Sequence, residues 1–307
     1  MLSVDRSISA ITSRLVGQLR RRSGQRGSTL RQAALLGRMG AGVLALQLAA
    51  IGLLGAGPLS GCGGSRPPGD PTRMSESEVD IAIDLWQVRG QPREALDHGL
   101  RAVELDPENA DASHLVSLIY LDFCGQSALD ECHLDEAEKH ARRAVALRPD
   151  FLEAQNTLAV ILVHQQRYDD AIALLEPITA NILYRTPEIA WGNLGWAYLE
   201  SGRPKRAIPA LRKAVAAQPL FCVGNYRLGL AHARVRELQQ ALEAFDRALE
   251  TDAPGCAALQ DAYLERARVH HALGELEHTR ADLDRCLSLH KSTPVGKECS
   301  RMLSRLQ

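Results

Sequence analysis

The sequence predicts an all-α chain, a right-handed superhelix of about six helix-turn-helix repeats closed by a C-terminal helix. Three observations carry that prediction. Only 4% of the 307 residues are aromatic, while Ala, Leu, Arg and Glu are abundant; this composition favours helices with small, close-packing side chains over sheets. Beyond residue 75 the chain repeats with a pitch of thirty-four: Leu194, Gly195, Ala207 and Ala214 recur as Leu228, Gly229, Ala241 and Ala248. Pro107, Pro149 and Pro219 end their units, where a proline cannot continue a helix and sets the turn into the next.

The first element is a leader, residues 1–61. It holds eight Arg, no Lys and one acid, Asp5, so it carries +7 in a chain of net charge −1, and the remainder carries −8. An acidic body has little with which to neutralise phosphates, which argues against a nucleic-acid partner. Residues 39–59 contain no charge, and their apolar core, Val43 to Leu54, is twelve residues long. That length suits the h-region of a secretory signal better than a membrane span of about 20 strongly apolar residues. Arg31 and Arg38 supply the positive n-region, and residues 1–38 are assigned no folded structure.

Leu59-Ser60-Gly61-Cys62 closely resembles the bacterial lipobox, a Leu followed by two small residues and Cys. The resemblance implies cleavage after residue 61 and acylation of Cys62, which anchors the chain to a membrane through its acyl chains. Each buried methylene contributes roughly 0.8 kcal/mol, and two chains are the minimum for stable anchoring. Gly63 follows the Cys where Asp would favour the inner membrane, so an outer-membrane, periplasmic location is the expectation. Residues 62–75, rich in Gly, Pro and Ser, read as the acylated Cys and a flexible tether.

Residues 76–293 form the repeats. The clearest unit is 188–219, where Trp191, Leu194, Gly195, Tyr198, Gly202, Ala207, Ala214 and Pro219 match the tetratricopeptide (TPR) pattern. Working outwards gives units at about 76–109 (Ala95, Ala102), 110–151 (Ala137, Ala144), 152–185 (Ala159, Ala171), 188–221, 222–255 and 260–293 (Gly274, Leu283). Neither helix of such a unit buries its apolar face alone, so stacking supplies the core, and small residues let helices cross closely. Pro107 to Pro149 spans 42 residues rather than 34, placing an insertion of about eight between the helices of the second repeat. Residues 294–307 read as a closing helix.

Six cysteines follow Cys62: Cys124, Cys132, Cys222, Cys256, Cys286 and Cys299. In an exported chain an even number invites disulfides, and six allow fifteen pairings. The repeat register narrows these. Cys124 and Cys132 bracket most of the insertion, Cys222 and Cys256 mark the starts of neighbouring first helices, and Cys286 faces the closing helix that holds Cys299. Closing the Cys222–Cys256 loop is worth roughly 3–4 kcal/mol on chain-entropy arithmetic. The alternative is a set of buried free thiols packed as small hydrophobes.

No motif for catalysis is present. There is no Cys-x-x-Cys, His-Glu-x-x-His, Gly-x-Ser-x-Gly or phosphate-cradling loop. Cys132-His133 and Cys286 with His290 have disulfide partners available and are not read as metal ligands, and His270-His271 reads as one buried and one exposed helix position. The expectation is no enzyme, no cofactor, no metal and no small-molecule substrate.

A partner is expected in the groove lined by the first helices. The inward-facing positions include Leu118 and Leu121, Val160 and Val163, then Ile189, Trp196 and Leu199, then Tyr226 and Leu230, with Asn156, His164, Glu200 and Arg234 among them. An apolar groove with polar groups suits an amphipathic helix or an extended apolar peptide. Trp196 is the expected anchor, being a large aromatic on that wall. For Val160, packing against the neighbouring repeat is nearly as good a reading.

Residues 62 to about 303 resemble the TPR lipoproteins of the type IV pilus pilotin family (PilF, PilW and Tgl-like). The resemblance rests on Leu183-Tyr184-Arg185-Thr186-Pro187 leading into Ala190-Trp191-Gly192-Asn193-Leu194-Gly195. It rests also on Phe221-Cys222-Val223-Gly224 with Cys256, and on Gly296-Lys297-Glu298-Cys299. The long basic leader and the insertion holding Cys124 and Cys132 depart from it. It implies a protein partner, a secretin subunit, whose outer-membrane localisation and multimerisation the lipid-anchored adaptor promotes. The rival expectations are a scaffold lipoprotein recruiting cell-wall hydrolases and an assembly factor for another envelope machine.

Overall fold

The structure, a computed structural model, describes residues 69–125, 132–250 and 255–306. The leader, Cys62 and most of the tether lie outside the described residues. Among the described residues there are thirteen α-helices, one 3-10 turn and no strand, and no helix is long and apolar enough to cross a membrane.

The chain divides at residue 109 into two units. The first is a helical hairpin of α1 (Pro71–Gln87) and α2 (Pro92–Leu105). α1 begins five residues before the repeat expected from residue 76, because Asp70 accepts a hydrogen bond from the Thr72 amide and Pro71 occupies the first turn. Val79, Ala82, Ile83 and Trp86 of α1 and Ala95, Ala102 and Val103 of α2 are buried. Ser75 Oγ donates to the Ala102 carbonyl at 2.7 Å and accepts from Asn109, so the hairpin is fastened by a buried hydroxyl as well.

The second unit holds five helix pairs and a closing helix. The pairs are α3 (Ala110–Gly125) with α4 (Leu134–Leu147), α5 (Leu152–His164) with α6 (Tyr168–Ala180), and α7 (Pro187–Glu200) with α8 (Pro204–Ala217). α9 (Cys222–Arg234) pairs with α10 (Leu238–Leu249) and α11 (Gln260–Ala272) with α12 (Leu276–Leu289); α13 (Pro294–Ser304) closes the unit.

One backbone device recurs at the pair turns. Gly90, Gln166, Gly202, Arg236 and Gly274 all have φ between 63° and 81°. Each ends a first helix in the left-handed conformation, and the following amide reaches back across the last turn, as in Arg203 N to Tyr198 O at 2.8 Å and Glu237 N to His232 O at 3.0 Å. Small residues set the crossings: Ala137, Ala159, Ala171, Ala190, Ala207 and Ala231 are fully buried. Large ones fill the remaining space, with Leu162, Leu175, Leu194 and Leu211 in one core and Leu259, Leu264, Leu283 and Val295 in another towards the C-terminus.

Candidate functional site

The first helices α3, α5, α7, α9 and α11 pack side by side, each against the next. Polar side chains link them in a ladder. His114 Nε2 lies 2.9 Å from Thr157 Oγ1, and Asn193 Nδ2 donates to Asn156 Oδ1 at 3.2 Å. Arg227 Nη1 donates to Asn193 Oδ1 at 3.4 Å and to the Gly192 carbonyl at 3.5 Å. Arg234 donates to the Leu199 carbonyl and pairs with Glu200 at 3.5 Å. Arg268 pairs with Glu265 at 2.6 Å and reaches Glu298 on α13 at 3.4 Å.

Trp196 stands in the middle of this row. The His164 ring meets it edge-on at 4.9 Å, and the Arg227 guanidinium lies over its face at 4.5 Å. It is half-buried, held by a ring and a cation instead of being locked in the core. Trp196 is the part of this cluster that stays partly exposed and can meet an apolar side chain, whereas Asn156, Asn193 and Arg227 are at most 3% exposed and hold the helices together. Burial pushes the Glu265 carboxyl above its ordinary range against the pull of Arg268 and Arg234, so charge at that end of the row is finely opposed.

The apolar groove expected from the sequence needs correction. Leu118, Leu121, Val163, Ile189 and Leu199 are at most 3% exposed and belong to the packed interior, as does Val160. The reason is that α5 and α7 are apolar on nearly every side, so a residue turned from its own second helix is covered by the next repeat. Trp196, Tyr226 and Leu230 stay partly exposed at the core's edge. The ladder residues Asn193 and Arg227 escaped the sequence reading, although they stand thirty-four residues apart in equivalent positions, which is the signal that would have found them.

The six cysteines of the repeats form three disulfides: Cys124–Cys132, Cys222–Cys256 and Cys286–Cys299. Each sulfur is thereby removed from nucleophilic and metal-binding chemistry. The acids Asp169 and Asp170 are exposed and pair with Arg203 and Arg167.

Residues 150–219 match the tetratricopeptide repeat family model. PilW, described as a widely conserved type IV pilus biogenesis factor, superposes with a TM-score of 0.62 at 21% identity, over 73% of this chain and 97% of that one. The fold is a tetratricopeptide solenoid. PilF of Pseudomonas aeruginosa has a TM-score of 0.59 at 17% identity, over 76% of this chain and 99% of its own. Among curated proteins, a probable UDP-N-acetylglucosamine–peptide N-acetylglucosaminyltransferase SPINDLY of Hordeum vulgare is 29% identical over 162 residues. The photosystem I assembly protein Ycf3 of Synechococcus elongatus is 30% identical over 99 residues. This TPR chain spans only 13% of the first and 57% of the second.

Proposed function

We propose that this chain is a lipid-anchored TPR adaptor that captures a segment of a secretin subunit and promotes secretin multimerisation at the outer membrane for type IV pilus biogenesis. The observation that carries the reading is the near end-to-end match to PilW and PilF, 97% and 99% of those chains, on a body of the same repeat architecture. The lipobox ending at Cys62 supports it by supplying the anchor. Tethering the edge around Trp196, Tyr226 and Leu230 to one membrane raises the local concentration of captured subunits there without any new contact. Deleting the gene is expected to abolish heat-resistant secretin multimers and the chain with Cys62→Ala to fractionate away from the outer membrane. Normal multimers in the deletion strain would overturn the reading.

A further inference from the structure

Three side chains converge on the turn of the last repeat. His270 lies in the last turn of α11, Glu275 precedes α12, and His278 follows within the first turn of α12. His270 Nδ1 is 2.5 Å from Glu275 Oε2, and His278 Nδ1 is 4.0 Å from the same oxygen. The two imidazoles stack with centroids 5.0 Å apart, and one nitrogen from each ring and a Glu275 oxygen lie within 4.8 Å of one another. Behind them Asp282 Oδ2 stands 3.8 Å from His270 Nε2, and Arg266 grips that carboxylate with bonds of 2.9 and 2.6 Å.

The same turn one repeat earlier separates what closes the turn from what does not. Arg236 and Gly274 share the left-handed position, so His232 and Glu237 correspond to His270 and Glu275. That earlier pair also meets, at 2.6 Å. A His–Glu contact therefore suffices for the turn. Gln240, Leu228 and Ala244 then stand where the last repeat has His278, Arg266 and Asp282. The second imidazole and the anchored carboxylate are additions that turn closure does not require.

We propose that His270, Glu275 and His278 bind a divalent transition ion of the zinc type. Two imidazoles and one carboxylate suit Zn²⁺ and its neighbours, and a fourth site is left for water or a partner's donor. The ion takes the Nδ1 lone pair of His270 and a Glu275 oxygen, both proton-free in the bound state. Behind the ring the Asp282 carboxylate, 3.8 Å from Nε2 and held by Arg266, places negative charge near the site without a hydrogen bond to the imidazole. The His278 side chain is 71% exposed and free to turn its ring onto the ion, whereas that of His270, at 14%, is held in place.

The test is a Zn²⁺ titration of the full, untagged chain with its disulfides intact, after chelator treatment, alongside His278→Gln and His271→Gln. One equivalent should bind, His278→Gln should lower the affinity at least tenfold, and His271→Gln should leave it unchanged. Both exposed positions tolerate glutamine, so the metal-free melting temperatures should coincide. Absence of saturable binding, wild-type affinity in His278→Gln, or an equal loss in His271→Gln would each overturn the site.

Discussion

His140 sits on α4 with 6% of its surface exposed, its ring stacked 6.1 Å from Tyr120 and its Nδ1 without a hydrogen-bond partner. Burial, aided by Lys139 and opposed by Glu136, holds its pKa below the ordinary 6.5. A histidine depressed on folding contributes its full stability above its unfolded pKa, and that contribution is lost as pH falls from there through the folded value. The melting temperature should therefore drop as the pH falls below the ordinary histidine value of 6.5, and His140→Leu should flatten part of the slope. Identical slopes in the two proteins would remove His140 as a cause. Trp196 makes the opposite kind of contribution, since it lies at the edge of the core and faces the ladder. Trp196→Ala should weaken binding of the partner segment proposed above by about 2 kcal/mol or more while far-UV helicity stays intact. Unchanged affinity in a titration against that segment would show that the row is not the contact surface.

Helices here meet at positions where no side chain fits. A Cβ added to Gly229 would lie 2.5 Å from Cε1 of Phe245, which is fully buried and has no room to withdraw. Alanine gains about 1 kcal/mol in helix propensity over glycine, but overpacking a filled core costs about 1–3 kcal/mol. Gly229→Ala should accordingly lower the urea midpoint, corresponding to a loss of about 1 kcal/mol, although the same change in an open helix would raise it. The elements themselves were legible because their signals are local: prolines at unit ends, alanines at crossings, and Gly202 and Gly274 after two of the first helices. The lining of the groove was not legible. Facing away from one's own second helix is a property of a single unit, whereas the burial of Leu121, Val163 and Leu199 depends on the repeat that follows. Conversely, the Asn193–Arg227 contact joins two helices, and only comparison of repeats in register brings those residues together.

Over residues 110–306 each repeat packs chiefly on its neighbours, so stability is close to a sum of repeat terms and nearest-neighbour terms. The disulfides act on different terms of that sum. Cys124–Cys132 closes a separation of 8 residues within one repeat, and Cys286–Cys299 joins α12 to the closing helix over 13. Cys222–Cys256 spans 34 residues, a whole repeat, and fastens the start of α9 to the 3-10 turn that leads into α11. Loop-closure entropy makes this bridge the strongest of the three, at about 4 kcal/mol. It also couples the last repeat to the rest of the array. Replacing both residues, Cys222→Ser with Cys256→Ser, should therefore do two things in the oxidised protein. The urea midpoint should fall by an amount corresponding to up to about 4 kcal/mol, and the last repeat with α13 should begin to unfold ahead of the others. Amide exchange along α11–α13 reads the second effect directly. A variant that keeps one cooperative transition and loses less than about 1 kcal/mol would show that side-chain packing alone carries the coupling.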